Sequence, residues 1–141
     1  MKQLFTLIIN IFIGTALNAQ TFEWAKQMGG TGNDVGYSIA IDGSGNVYST
    51  GYFQGTVDFD PGAGVFNLTF AGGYDIYIQK LDANGNFIWA KQMGGTGSDL
   101  GYSIAIDGSG NVYSTGSFNG TADFESGAGV FNLTSAGQND I

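Results

Sequence analysis

The chain has 141 residues, with four lysines and no arginine against twelve acidic residues, giving a formal charge of -8. Cysteine and histidine are both absent. This excludes disulfide scaffolds, thiolate zinc sites, His-ligated metals and His-based acid–base chemistry. Phosphate contacts need a basic face, so the acidity argues against a nucleic-acid partner. A composition of 43% hydrophobic and only 11% charged residues excludes a disordered acidic segment.

The first twenty residues stand apart. Lys2 supplies a positive start, Leu4 to Gly14 is almost wholly apolar, and small residues follow up to Ala19. This is the layout of a secretory signal peptide, expected over residues 1–19 with Gln20 as the new first residue and Ala16 as an alternative cut. The apolar run is well short of the roughly twenty residues that span a bilayer as a helix, and no later stretch resembles a span. Removing it leaves three lysines against twelve acids, a charge of -9.

After the leader, 25 glycines, one proline and abundant β-branched and aromatic residues, with no sustained 3.6-residue apolar period, indicate an all-β chain. Residues 20–35 read as a lone outer strand, Phe22–Met28, followed by a Gly-rich loop through Asn33 and Asp34. Residues 36–100 read as one full unit. Its strands are Tyr37–Asp42, Asn46–Phe53, Asp75–Leu81 and Asn86–Met93. Tight turns fall at Gly43-Ser44-Gly45 and Asp82-Ala83-Asn84-Gly85. The long Gly-rich connection from Gln54 to Tyr74 has room for an extra short strand at Val65–Phe70. Residues 101–141 read as a second, truncated unit that stops two residues into its third strand.

The units are copies. Residues 24–76 and 89–141 are related by a shift of 65, and 43 of 53 aligned positions are identical. A fixed period of this size marks an array of units that cannot each bury their own apolar surface. Four antiparallel strands with apolar residues on both faces suit a β-propeller blade, covered on each side by a neighbour. A β-helix and a duplicated β-sandwich are the rival architectures, and hairpin turns between strands count against the β-helix. A closed ring needs at least four blades, so the expected architecture is an incomplete propeller, with further blades of a longer chain as partners. Alone, the chain would leave sheet edges and apolar faces uncovered.

The string from Ser38 to Gly51, SIAIDGSGNVYSTG, repeated from Ser103 to Gly116, resembles the core of the bacterial SBBP-type β-propeller repeat. Asp75 to Asp82, then Gly85-Asn86 and Trp89, continue the likeness. The stretches Asp58 to Gly64 and Phe66 to Thr69 resemble the version found in secreted proteins of Bacteroidetes-type bacteria. The resemblance implies a propeller at the cell surface or outside the cell. Such proteins often end in a sorting domain for type IX secretion, and no such domain is present in this sequence.

Little in the sequence carries chemistry. The carboxylate pairs Asp58/Asp60 and Asp123/Glu125 recur with the repeat, unlike a unique active site, and no catalytic residue is assigned. Asp82-x-Asn84-x-Asn86 resembles the start of a calcium loop, but Phe87 stands at the glycine position and Met93 at the glutamate position. Asx-capped turns explain it better, so no metal and no cofactor is expected. Gly29 to Gly36 lacks the lysine and helix of a phosphate loop. It reads as an inter-blade loop at the rim, which makes Asp34 and Asp99 candidates for ligand contact, although ordering the turn accounts for them better. Trp24, Trp89, Tyr37 and Tyr102 could stack on sugar rings, although blade packing also accounts for them. The expected function is an exported, non-enzymatic propeller scaffold with a protein or glycan ligand. The alternatives are a lectin-like propeller and a calcium-stabilised adhesin module.

Overall fold

The computed structural model describes residues 21–141; the expected signal peptide, residues 1–19, lies outside the described residues. The described residues form ten strands and no helix. These are β1 Val35–Ile41, β2 Val47–Phe53, β3 Thr56–Asp58, β4 Asn67–Thr69, β5 Asp75–Leu81, β6 Phe87–Gly95, β7 Leu100–Ile106, β8 Val112–Ser117, β9 Thr121–Asp123 and β10 Asn132–Thr134. All strand ladders are antiparallel.

The first blade is the meander β1-β2-β5-β6, with the four strands the repeat pattern predicts. The register pairs Ala40 with Tyr48, Thr50 with Ile78 and Ile76 with Met93. Side chains alternate across a strand, so these residues share one face. Ile39, Ser49, Gln79 and Ala90 share the other. The hairpin turns follow from local chemistry. Asp42 accepts the N–H groups of Ser44 and Asn46, at 2.9 and 3.0 Å. Gly45, at φ 82°, takes the left-handed position that closes the turn. Asp82/Gly85 and Asp107/Gly110 build the same device.

The second blade starts as β7-β8, with β7 packed across β1 and β2. Tyr48 and Ile78 of the first blade bury Ile104 of the second, with Ala40, Trp89, Met93, Ile106 and Val112 around them. Gly101 sits at the tightest point of this joint. A Cβ there would lie 2.5 Å from Thr50 Oγ1 and 2.9 Å from Ile76 Cγ2. An isolated bridge, Phe118 to Asp140, marks the start of the second blade's third strand.

The connection between β2 and β5 holds two short strands, β3 and β4, where the sequence suggested one. The extra strand at Val65–Phe70 is realised as β4, and β3 is its partner. This hairpin covers the outer half of the blade's second face. Phe59, just beyond β3, packs on Phe53 with ring centroids 5.4 Å apart and on Tyr77 at 5.0 Å. Gln79 Nε2 donates to the Phe59 carbonyl at 2.6 Å. Phe53, Val57, Phe59, Tyr77 and Ala90 form a buried core, and each large apolar side chain so buried contributes about 1.5–3 kcal/mol.

The hairpin also joins units. In the second unit, β9-β10 pairs with the end of β6, Gly94 opposite Asp123 and Gly95 opposite Ala122. The first sheet therefore runs to six strands, β1-β2-β5-β6-β9-β10. One period earlier, Gly29 bridges Asp58 in the same way. Here the sequence reading needs correction. Phe22–Met28, expected as a lone outer strand, forms no strand ladder. A fourth strand is held by the third strand of its own blade, and no such strand precedes it among the described residues. The segment instead rests on the first blade. Trp24 Nε1 donates to the Ala83 carbonyl at 3.1 Å, and Met28 Sδ lies against Gln79.

A side chain at Gly101 has to push the blades apart. Gly101→Ala is expected to lower stability by about 1–3 kcal/mol, the usual cost of overpacking, in urea unfolding followed by tryptophan fluorescence. Gly108→Ala, with open space around its Cβ, leaves the transition almost unmoved.

Candidate functional site

The loops linking one blade to the next emerge at the end of the sheet where β1 begins, β2 ends and β5 begins. Asp34 and Asp99, the candidates for ligand contact, sit in these loops. Asp34 Oδ2 accepts the Gly30 N–H at 2.8 Å and Oδ1 accepts the Gln54 N–H at 3.2 Å. Asp99 does the same with Gly95 at 2.8 Å and Asn119 at 3.0 Å. Each carboxylate thus ties the inter-blade loop to the start of the hairpin, and Asp99 is fully buried. The loop glycines belong to the same clamp. A Cβ at Gly95 or Gly97 would collide with the carbonyl of Thr121 or Asn119, so the Gly-rich string serves close backbone approach.

Asp99 has a second carboxylate nearby. Asp75, also fully buried, accepts the Ala71 N–H at 3.0 Å and Gln92 Nε2 on Oδ2, while its Oδ1 has no partner. Asp75 Oδ1 and Asp99 Oδ2 flank Gly94. Burial pushes the pKa of both carboxyls up, and for Asp75 the nearby Asp99 charge adds to it.

The turn carboxylates behave in the opposite way. Hydrogen bonds from Asn46, Ser44 and Tyr48 hold Asp42 down at about 2, and Lys80 Nζ stands 3.6 Å from its Oδ2. Asp82 and Asp107 are lowered chiefly by Asn86 and Asn111. Their oxygens are taken by N–H donors, an environment for an anion with little left to offer a cation. Asp58 and Asp123 likewise accept two backbone N–H groups each, and Asp60 and Glu125 one each. Among the described residues no three acidic side chains converge.

A row of tyrosines crosses the same rim. Tyr102 and Tyr37 have ring centroids 5.5 Å apart, Tyr37 and Tyr52 5.7 Å, and Tyr52 and Tyr74 4.7 Å. Tyr37 and Tyr102 are about half exposed. Asn33 Nδ2 donates to Tyr52 Oη at 3.2 Å, and Ser117 Oγ to Tyr102 Oη at 3.2 Å. Desolvation, then the adjoining Tyr37 and Tyr74, push the Tyr52 phenol up. Of the aromatic candidates, the structure brings Tyr37 and Tyr102 together. Trp89 packs edge-on against Tyr48 at 6.0 Å in the joint, and Trp24 lies over the turn at Gly85. Tyr52 and Tyr74 were not singled out from the sequence. The available signal was their departure from the repeat, to Ser117 and Asn139.

Two matches to one repeat family coincide with this architecture. Residues 23–52 and 88–125 match the SBBP family, a beta-propeller repeat. The chain is an SBBP-type β-propeller repeat protein. Each match runs from the fourth-strand position of one unit across the rim loop into the next, so the matched segments span the joints. This SBBP-type chain is also 32% identical over 113 residues to a WD repeat-containing protein of Acanthamoeba polyphaga mimivirus. That match covers 70% of the chain and 8% of the viral protein. No solved structure gives a significant match.

The buried acids have a testable consequence. The folded chain holds the Asp75 proton more tightly than the unfolded chain, whose ordinary value is 3.8. Stability from this group is therefore complete below that value and declines as pH rises through the elevated folded value. Asp75→Asn removes the charge and is expected to raise the melting temperature at pH 7. The gain should shrink to nothing below about pH 4, near the ordinary carboxylate range. A variant less stable than the parent at every pH contradicts this.

Proposed function

We propose that this propeller chain is an exported, non-enzymatic scaffold that presents a binding surface at the cell surface or outside the cell. The tyrosine row carries this reading. The repeated carboxylates of the rim and turns are bound to backbone amides within the fold, whereas Tyr37 and Tyr102 are about half exposed, with the partly buried Tyr52 and Tyr74 continuing the row. They also include two of the ten positions at which the repeats differ, as a surface adapted to a ligand would. The leader-like sequence of residues 1–19 supports export. No helix among the described residues is long and apolar enough to cross a membrane.

A glycan is the ligand class this surface favours. Flat aromatic rings stack on sugar faces, and Asn33 and Ser117 stand beside them to meet hydroxyls. A protein ligand is the second reading, since tyrosine also dominates protein-binding surfaces.

Export is checked by joining residues 1–25 to a reporter active only after translocation. The expected product is active and begins at Gln20; an inactive, uncleaved fusion defeats the proposal. For the ligand, the chain from Gln20 to Ile141 is applied to a glycan array beside the double variant Tyr37→Ala/Tyr102→Ala. The parent is expected to give hits that fall at least tenfold in the variant, since base or ring stacking on an aromatic is worth about 1–3 kcal/mol. Hits unchanged in the variant would remove the tyrosine row from the function.

A further inference from the structure

The joint between the two blades is made by segments that occur twice. Residues 37–50 and 102–115 are identical, YSIAIDGSGNVYST. In the joint the first copy contributes Ala40, Tyr48 and Thr50, and the second contributes Ile104 and Ile106. Each copy therefore also carries the half of the joint that it does not use there. Tyr48 is 2% exposed, while its equivalent Tyr113 is 57% exposed. Ile104 is 6% exposed, while its equivalent Ile39 is 65% exposed. The chain ends up with two open faces, Ile39/Ile41 on one side and Ala105/Tyr113/Thr115 on the other. They are two halves of a contact it already makes.

A cavity supports the same pairing. Beside Gly36 lies a space of about 430 Å³, lined among others by Met28, Ser49, Phe53 and Phe59. The equivalent space beside Gly101, lined by Met93, Ser114, Phe118 and Phe124, is about 140 Å³; Ile76 of the first blade fills its side toward the joint, and Ile141 stands at its edge. Ile141, the equivalent of Ile76, is almost fully exposed. The larger space is the same socket without its isoleucine.

We propose that two copies of this chain associate head to tail, the Ile39/Ile41 face of one on the Tyr113 face of the other, with Ile141 entering the socket at Gly36. The contact repeats the internal joint, so no new complementarity has to arise. Each face meets its opposite and not itself, which makes the interface heterologous, adding copies until the ring of blades closes. The exposed apolar surface supplies the driving force.

The test uses the chain from Gln20 to Ile141 and two single variants, Ile39→Asp and Tyr113→Asp. Both substituted side chains are exposed, and circular dichroism melting confirms that both variants fold. In multi-angle scattering across a concentration series, the parent is expected to exceed the mass of one chain and to grow with concentration. Each variant alone stays a single chain. Their equimolar mixture gives twice the single-chain mass and no more, because one intact face of each kind remains and both spare faces are charged. A parent that is monomeric throughout overturns the proposal. So does a variant that associates like the parent, or a mixture that stays monomeric.

Discussion

A sheet that is apolar on both faces cannot stand alone in water. In this chain that requirement governs the rest. Tyr48, Ile78 and Trp89 on one face of the first blade are covered only because a second blade lies across them. Phe53 and Tyr77 on the other face are covered because the inserted hairpin folds back with Phe59. Where neither cover is present, at Ile39 and Ile41, apolar side chains face solvent. The glycines of the inter-blade loop, the carboxylates that clamp it and the small residue at Gly101 all serve to bring one sheet close to the next.

The chain divides its carboxylates by environment. Turn acids such as Asp42 sit among N–H donors at the surface and keep their charge to low pH. Asp75 and Asp99 sit beneath the rim, close to one another and away from water, where charge is costly. The two buried acids lose stability as pH rises, whereas the turn acids, held low by their hydrogen bonds, lose theirs only as pH falls through the carboxylate range. The proposed binding surface is left to uncharged groups, the row of tyrosines.

Much of the blade was legible in the sequence. Asp-Gly-Ser-Gly and Asp-Ala-Asn-Gly carry their own turn chemistry, and alternation between them fixes strands to within two residues. The 65-residue shift revealed stacked units because conserved faces imply a shared partner. Other features depended on distant contacts. Thr56–Asp58 is too short to show a period, and it becomes a strand only because β4 lies beside it and Gly29 bridges Asp58. Phe22–Met28 reads as a strand by composition, yet a strand is defined by a partner that this stretch does not have among the described residues. Asp34 and Asp99 read as turn-ordering acids or ligand contacts within their own loop; only the folded arrangement brings the distant amides of Gln54 and Asn119 to them. The tyrosine row joins residues from β1, β2, β7 and the approach to β5, which no linear spacing connects.

The hairpin that hangs on the previous unit's outer strand bears on how such arrays grow. Since every unit is fastened to its predecessor by the same bridge, Gly29 to Asp58 and then Gly94 to Asp123, the structural module has no privileged first residue. A tandem copying event in the gene can begin anywhere in the period and still restore every fastening, provided the inserted length is a whole period. Selection on such an array therefore acts on the length of what is copied and is indifferent to its endpoints, which suits expansion and contraction by slippage or unequal exchange.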